Sequence, residues 1–248
     1  MAVDTAVVAV AVAAAILFLG YRRNRSSTLL PSKNGKSVTH KKPEHRRMQR
    51  KLGSPRHIAL WKPYLTLSSF VDDEHGARGR ATLAGLNLPD GVMNVGRLDR
   101  DSEGLLLLTD DGALCDRVLQ GGVQKRYLAL VRGQPSDVAI ATMAAGGLAI
   151  RGRVTRPCAV RRLDWCETNA ALPPSAAVPA GAECAVASTW IEVRIDEGMN
   201  RQIRRMTAHA GHKTLRLVRM GVGLLHAEQL ALRPGEWTYV ERADILED

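Results

Sequence analysis

Eleven residues from Asn94 to Gly104, Asn-Val-Gly-Arg-Leu-Asp-Arg-Asp-Ser-Glu-Gly, hold the densest polar cluster of the chain. Asp99, Asp101 and Glu103 alternate with Arg97 and Arg100, and Gly96 and Gly104 bracket them where tight backbone turns are allowed. Charge content alone fits a solvated loop. The alternation of bases and acids also suits a carboxylate gripped by arginine pairs, on a loop anchored to a rigid strand. Leu105 to Leu108 follow at once and read as that strand, buried on both faces.

A second cluster, Asp196 to Met206, carries Arg201, Gln202, Arg204 and Arg205. Helical spacing puts Ile203, Met206 and Ala210 on one face. Arg201, Arg204, Arg205 and His209 spread over the other, which by itself is an ordinary solvated helix surface. Arg219 shares strand parity with Leu215 and Leu217 and so points to an apolar side. A buried arginine needs a partner, and an acid such as Asp99 would serve.

The elements that must position these residues follow from periodicity and punctuation. His57 to Trp61 is a short strand stopped by Lys62-Pro63. Asp110-Asp111-Gly112 opens a helix with Leu114, Cys115, Val118 and Leu119 on one face and Gly121-Gly122 after its end. Tyr127 to Val131 is a strand, Pro135-Ser136 opens a helix to about Ala145, and Trp190 to Ile195 alternates as a strand. Asn200 to Ala210 reads as a helix ended by Gly211, and Thr214 to Met220 as a strand. Residues 168–188, rich in Ala and Pro, read as a loop or insertion. Strands and helices intersperse without a βαβ rhythm, which predicts an α+β fold with a mostly antiparallel, mixed sheet.

The chain has 248 residues, enough for a sizeable core, and a formal net charge of +10. That excess is local. Residues 22–51 hold eleven Lys or Arg against Glu44, while the 197 residues from Leu52 onward balance to +1. The body is therefore not marked as a nucleic-acid binder by composition. Residues 22–54 read as a basic disordered linker, either a solvated spacer or a salt-sensitive captor of phosphate backbone. Before it, Ala6 to Leu19 is an unbroken apolar run of about 21 Å as a helix, short of a hydrocarbon core of roughly 30 Å. Its positive charge follows the run, unlike a cleaved secretory signal. Residues 1–21 are thus read as a membrane anchor through residues 6–19, an organelle-targeting presequence, or an artefact of the start codon. Four cysteines without CxxC spacing argue against a zinc site or a disulfide scaffold.

The motifs together resemble those of the RsuA/RluB-type ribosomal RNA pseudouridine synthases. Gly96 to Thr109 is similar to that family's catalytic motif, and Lys125-Arg126-Tyr127 to its tyrosine motif. Glu197 to Met206 followed by Leu215-Arg216-Leu217-Val218-Arg219 is similar to its C-terminal motif. The match spans about residues 55–242, leaving 243–248 as a tail. Within the family it is nearest to the E type (RluE), one of those directed to the large ribosomal subunit. The small N-terminal RNA-binding domain of many relatives has no counterpart in residues 22–54. Met199 stands where relatives carry Lys or Arg, so one phosphate contact is not carried over, and Asp110-Asp111 replaces an Asn-containing turn.

The resemblance implies a pseudouridine synthase-like fold and an isomerase that turns a uridine of ribosomal RNA, of the large subunit, into pseudouridine. Asp99 is then the essential carboxylate, Arg204 its charge partner with Arg219 as second choice, and Tyr127 the group against the base that assists loss of the C5 proton. Arg97, Arg100, Arg201, Gln202, Arg205 and Arg219 are implied RNA contacts, with arginines lining a cleft and acids facing away. For Arg97 and Arg100 the other reading is a structural pair with Asp101 or Glu103. No metal or redox cofactor is called for, and a monomer is expected. The compartment leans to an organelle, mitochondrion or plastid, because an extra segment precedes a bacterial-type body. Two rivals differ in class. One is a non-catalytic RNA-binding or ribosome-assembly factor on the same fold, which would be free to lose Asp99, Tyr127 or Arg204. The other is a membrane-tethered protein whose tail binds anionic lipid.

Overall fold

The computed structural model describes residues 53–75, 79–164, 172 and 187–247, all within the compact unit of residues 47–248. The readings of the apolar run, the basic linker, Cys166, Cys184 and most of the 168–188 loop lie outside these residues. Eleven strands are described: β1 (His57–Lys62), β2 (Met93–Asn94), β3 (Glu103–Thr109), β4 (Lys125–Arg132), β5 (Ala149–Ile150), β6 (Arg153–Val154), β7 (Ala159–Arg162), β8 (Ser188–Ile195), β9 (Thr214–Val222), β10 (Leu225–His226) and β11 (Trp237–Val240). Four α-helices accompany them: α1 (Gly112–Leu119), α2 (Asp137–Ala144), α3 (Gln202–His209) and the short α4 (Ala227–Leu230). The main sheet runs β11-β1-β3-β9-β4-β8-β7, with β2 on β3 and β10 on β9. Every pairing in it is antiparallel except β3 with β9. The expected α+β architecture with a mixed, mostly antiparallel sheet is what the chain forms.

The run Leu105–Leu108 shows why a central strand lacks alternation. Leu105 and Leu107 pack on one side of the sheet with Ala59, Trp61, Leu114 and Val118. Leu106 and Leu108 pack on the other with Ile58, Leu60, Leu83 and Leu98. Each buried leucine stabilises the fold by roughly 2 kcal/mol, so β3 is held from both faces. Helix α1 starts where Asp111 accepts a hydrogen bond from Leu114 N at 3.1 Å, and it stops before Gly121, whose φ is +103°. Leu119, expected on its apolar face, is 51% exposed, because α1 is short and its last turn overhangs a cavity. Helix α2 is capped by Ser136 as its sequence suggests. Helix α3 starts at Gln202 rather than Asn200. Arg201 sits in the left-handed region (φ 53°), which breaks the helical path one residue before it.

A third core cluster lies under β4 and β8. There Ala129, Ile191, Val193 and Ile195 meet Ile203 of α3 and Met143 of α2. The alternation of Ile191, Val193 and Ile195 thus brings α3, with its arginines, against the same end of the sheet as the Asn94–Gly104 loop.

Candidate active site

The loop carrying Asp99 is tied at both ends. Upstream, Val95 N donates to Leu107 O at 2.8 Å and Gly96 turns with φ +69°. The buried Ser68 hydroxyl then grips Leu98 on both sides, accepting from its N at 3.0 Å and donating to its O at 2.9 Å. Downstream, Ser102 N donates to Asp99 O at 3.0 Å, which closes a tight turn before β3. At the entry to β3, Gly104 has φ +100° and abuts the backbone of Arg219 in the parallel strand β9. Only a glycine fits there, since an added Cβ would stand 2.8 Å from Arg219 N. Both bracketing glycines therefore act as the sequence predicts.

Asp99 borders a cavity of about 480 Å³, within the range of pockets that take a small organic group. Tyr127, Arg219, Arg97, Arg201, Lys125 and Met199 also border it. Tyr127 of β4 and Arg219 of β9 are direct cross-strand partners, so their side chains lie side by side on one sheet face. The stagger of β4 against β9 shifts between Arg126 and Tyr127, and this irregularity sets that pairing.

The partners of the charged groups differ from those expected. Arg201, not Arg204, is the guanidinium near Asp99, with Nη1 at 3.5 Å from Oδ2. Arg201 also binds Asp101 through two parallel bonds of 2.8 Å, and these hold the Asp101 carboxyl below the usual carboxylate range. Arg204 turns to the backbone of the same loop, donating from Nη2 to Asp101 O at 2.5 Å, and burial lowers its own pKa. It clamps the loop from beneath and does not border the cavity. Arg219 is buried as its parity implies, but its partner is the Leu105 carbonyl, to which Nε donates at 2.7 Å, and not Asp99. Its Nη2 has no hydrogen-bond partner among the described residues. Sequence spacing shows which face an arginine takes. It does not show which oxygen across the fold that arginine will meet.

The remaining implied RNA contacts separate. Arg97 is exposed on the rim of the cavity, and Arg100 and Arg205 are exposed away from it. The structural pairing of Arg97 or Arg100 with Asp101 or Glu103 is not formed. Asp101 goes to Arg201 and Arg204, and Glu103 goes to Arg216 at 2.6 Å in a buried pair. Gln202 is buried, with Nε2 donating to Glu197 at 2.6 Å and Oε1 accepting from Met199 N, so it braces the 197–200 turn. The expectation that acids face away also needs correcting. Glu197 borders the cavity, although Gln202 and Arg156 N occupy its carboxylate. Cations still outnumber acids around the cavity, four to two.

Two residues that support the site, Lys62 and Ser68, carry no motif signal, and Lys125 has none beyond the tyrosine motif that it opens. Lys125 lies on the same face of β4 as Tyr127, donates to Val118 O at the end of α1, and burial lowers its pKa. Lys62 ends β1 fully buried, opposite Gly104, and burial lowers its pKa to about 8. Ser68 was invisible as the anchor of Leu98. Among the described residues no group of three or more His, Cys, Asp or Glu could hold a metal ion.

Comparison with known proteins adds four findings. The family model described as RNA pseudouridylate synthase matches residues 56–209. The ribosomal large subunit pseudouridine synthase E of Xanthomonas campestris is 44% identical over 183 residues, covering 73% of this chain and 92% of that protein. Its namesake in Vibrio vulnificus is 38% identical over 207 residues, covering 81% and 82%. Among solved structures, a crystal structure of a pseudouridylate synthase superposes with a TM-score of 0.60 at 23% identity, covering 77% of this chain and 72% of that one. It shares the fold.

Proposed function

Because this chain belongs to the RNA pseudouridylate synthase family, we propose that it isomerises one uridine of large-subunit ribosomal RNA to pseudouridine, with Asp99 as the essential carboxylate. The observation that carries the reading is the arrangement around one cavity. Asp99 stands under the charge of Arg201, and the paired side chains of Tyr127 and Arg219 border the same space. A uridine inside folded RNA must be extruded to enter such a pocket.

The reaction is an isomerisation and balances by itself. The N1–C1′ bond breaks, the uracil turns while held, a C5–C1′ bond forms, and the proton leaving C5 is matched by one gained at N1. Asp99 acts on the ribose or the base during cleavage, and its ionised form is the one that reacts. Arg201 supplies positive charge beside it and stays placed because Asp101 holds its fork. Tyr127 packs against the turning base and assists removal of the C5 proton. Arg219 borders the same space and brings a second positive charge to it. Arg97 and Arg201 at the rim suit the flanking phosphates.

The test is pseudouridine mapping of ribosomal RNA with the full chain and with Asp99→Ala. One site that forms with the wild type and disappears with the variant is the expected result. A site that persists with Asp99→Ala rejects the assignment of Asp99, and no dependent site at all rejects the reaction.

A further inference from the structure

The turn after β1 is built in a way that the reaction centre does not require. Lys62 is fully buried, and its ammonium donates to two backbone carbonyls of that turn, Pro63 O at 2.8 Å and Thr66 O at 2.6 Å. Between these clamps Leu65 sits at φ +60°, a left-handed conformation that costs a branched residue about 1 kcal/mol or more. Strain of this kind persists only where the surroundings enforce it, and it gathers at working sites. The clamped turn presents two apolar side chains to solvent, Tyr64 and Leu65, each 41% exposed. The Tyr64 side chain makes no hydrogen bond or ring contact among the described residues.

The turn is also next to the site. Lys62 pairs with Gly104, so the chain leaves β1 beside the loop that carries Asp99 and Asp101. Tyr64 lies within electrostatic reach of the Arg204 guanidinium, which holds the backbone of Asp101. On that side a second hollow of about 740 Å³ is bordered by Arg201, Arg204, Lys213 and Asp101. Arg201 borders both spaces, so a polyanion leaving the first meets cations at the second. Tyr64 borders neither space, but its turn leaves β1 beside the loop between them. An exposed aromatic ring without a ring or hydrogen-bond partner near these cations matches what a single-stranded segment of RNA recognises: charge for its phosphates and a flat face for its bases.

We infer that Tyr64 is a stacking platform for a nucleobase that neighbours the extruded uridine, and so a specificity residue of this enzyme. This rests on the proposed function. The buried lysine and the strained leucine hold the ring out before RNA arrives, so little conformational freedom is lost on binding.

The experiment uses the full chain as wild type, Tyr64→Ala and Tyr64→Phe, on ribosomal RNA fragments containing the mapped uridine. Tritium release from C5-labelled uridine reports kcat and KM. In a second series 2-aminopurine replaces the nucleotide on either side of the target, and its fluorescence is followed on binding. Stacking on an aromatic side chain is worth about 1–3 kcal/mol, so Tyr64→Ala raises KM by roughly 5- to 150-fold with kcat little changed. Tyr64→Phe behaves as the wild type, and the quenching of 2-aminopurine at one flanking position is lost only in Tyr64→Ala. Intact quenching at both positions in Tyr64→Ala overturns the inference, whatever KM does, as does a Tyr64→Phe variant as weak as Tyr64→Ala. In both cases the pseudouridine made by the wild type leaves the proposed function standing. A wild type that makes none removes the function and this inference together.

Discussion

Replacing Gly104 by alanine should disable both the fold's central seam and the site. A methyl group at this position collides with the carbonyl oxygen of Arg219 and stands 2.8 Å from its nitrogen, whereas real Cβ contacts stay above 3.0 Å. Backbone, not a flexible side chain, must give way. The positive φ of +100° adds about 1–2 kcal/mol of strain for any L side chain. Overpacking against a fixed strand adds about 1–3 kcal/mol. The two together amount to about 2–5 kcal/mol, or a fall in Tm centred on about 10 °C for a domain of this size. The displaced segment is the contact between β3 and β9, whose registered pairs are Glu103 with Val218 and Gly104 with Arg219. Arg219 and the Asp99 loop therefore move apart, and a shift near 1 Å can cost on the order of 100-fold in rate. Thermal melts and tritium release on the same preparations would show it, with Gly85→Ala as control. Gly85 has no positive φ and no atom near its added Cβ, so that variant should match the wild type. A Gly104→Ala protein that melts within about 2 °C of wild type and keeps its rate refutes the close approach and the reasoning built on it.

Asp99→Asn should differ in kind, keeping the wild-type melt and RNA affinity while its turnover falls below detection. Glu103→Ala removes the carboxylate partner of the buried Arg216 and should lower stability by about 3 kcal/mol. Glu103→Gln, which keeps an oxygen for the 2.6 Å bond, should lose less than half of that in denaturant melts. Lys62 supplies a pH test. Its pKa is about 8 in the fold against 10.5 when exposed, so between those values the unfolded chain binds more protons. Stability from this group therefore rises with pH across that window, by about 3 kcal/mol in all. Melts from about pH 7.5 to 10.5 should show wild type gaining on Lys62→Met, and parallel curves would show that Lys62 is not desolvated as described.

The features legible in the order of residues are local and patterned. The apolar run at 105–108, the glycines at 96 and 104, the cap at Ser136 and the alternation of Ile191, Val193 and Ile195 follow from side-chain period and backbone sterics. Each is read over a few residues. The motif order was legible in the same way, and with it the family; of the set Asp99, Tyr127 and Arg204 that it implied, the first two border one cavity and Arg204 does not. Partnerships, in contrast, were settled by the folded chain. Arg201 rather than Arg204 stands by Asp99, Arg219 bonds the Leu105 carbonyl, and Gln202 is buried on Glu197. Arg201 and Arg219 meet groups about a hundred residues away in the chain, and a long cationic side chain can reach several oxygens. The selection is made by strand register, by the irregularity at Arg126–Tyr127 and by the left-handed Arg201, which delays the start of α3 to Gln202. Ser68 and Lys62 were silent for the same reason. A single polar residue acquires its role only when the fold surrounds it with the carbonyls and the low dielectric that make its hydrogen bonds count.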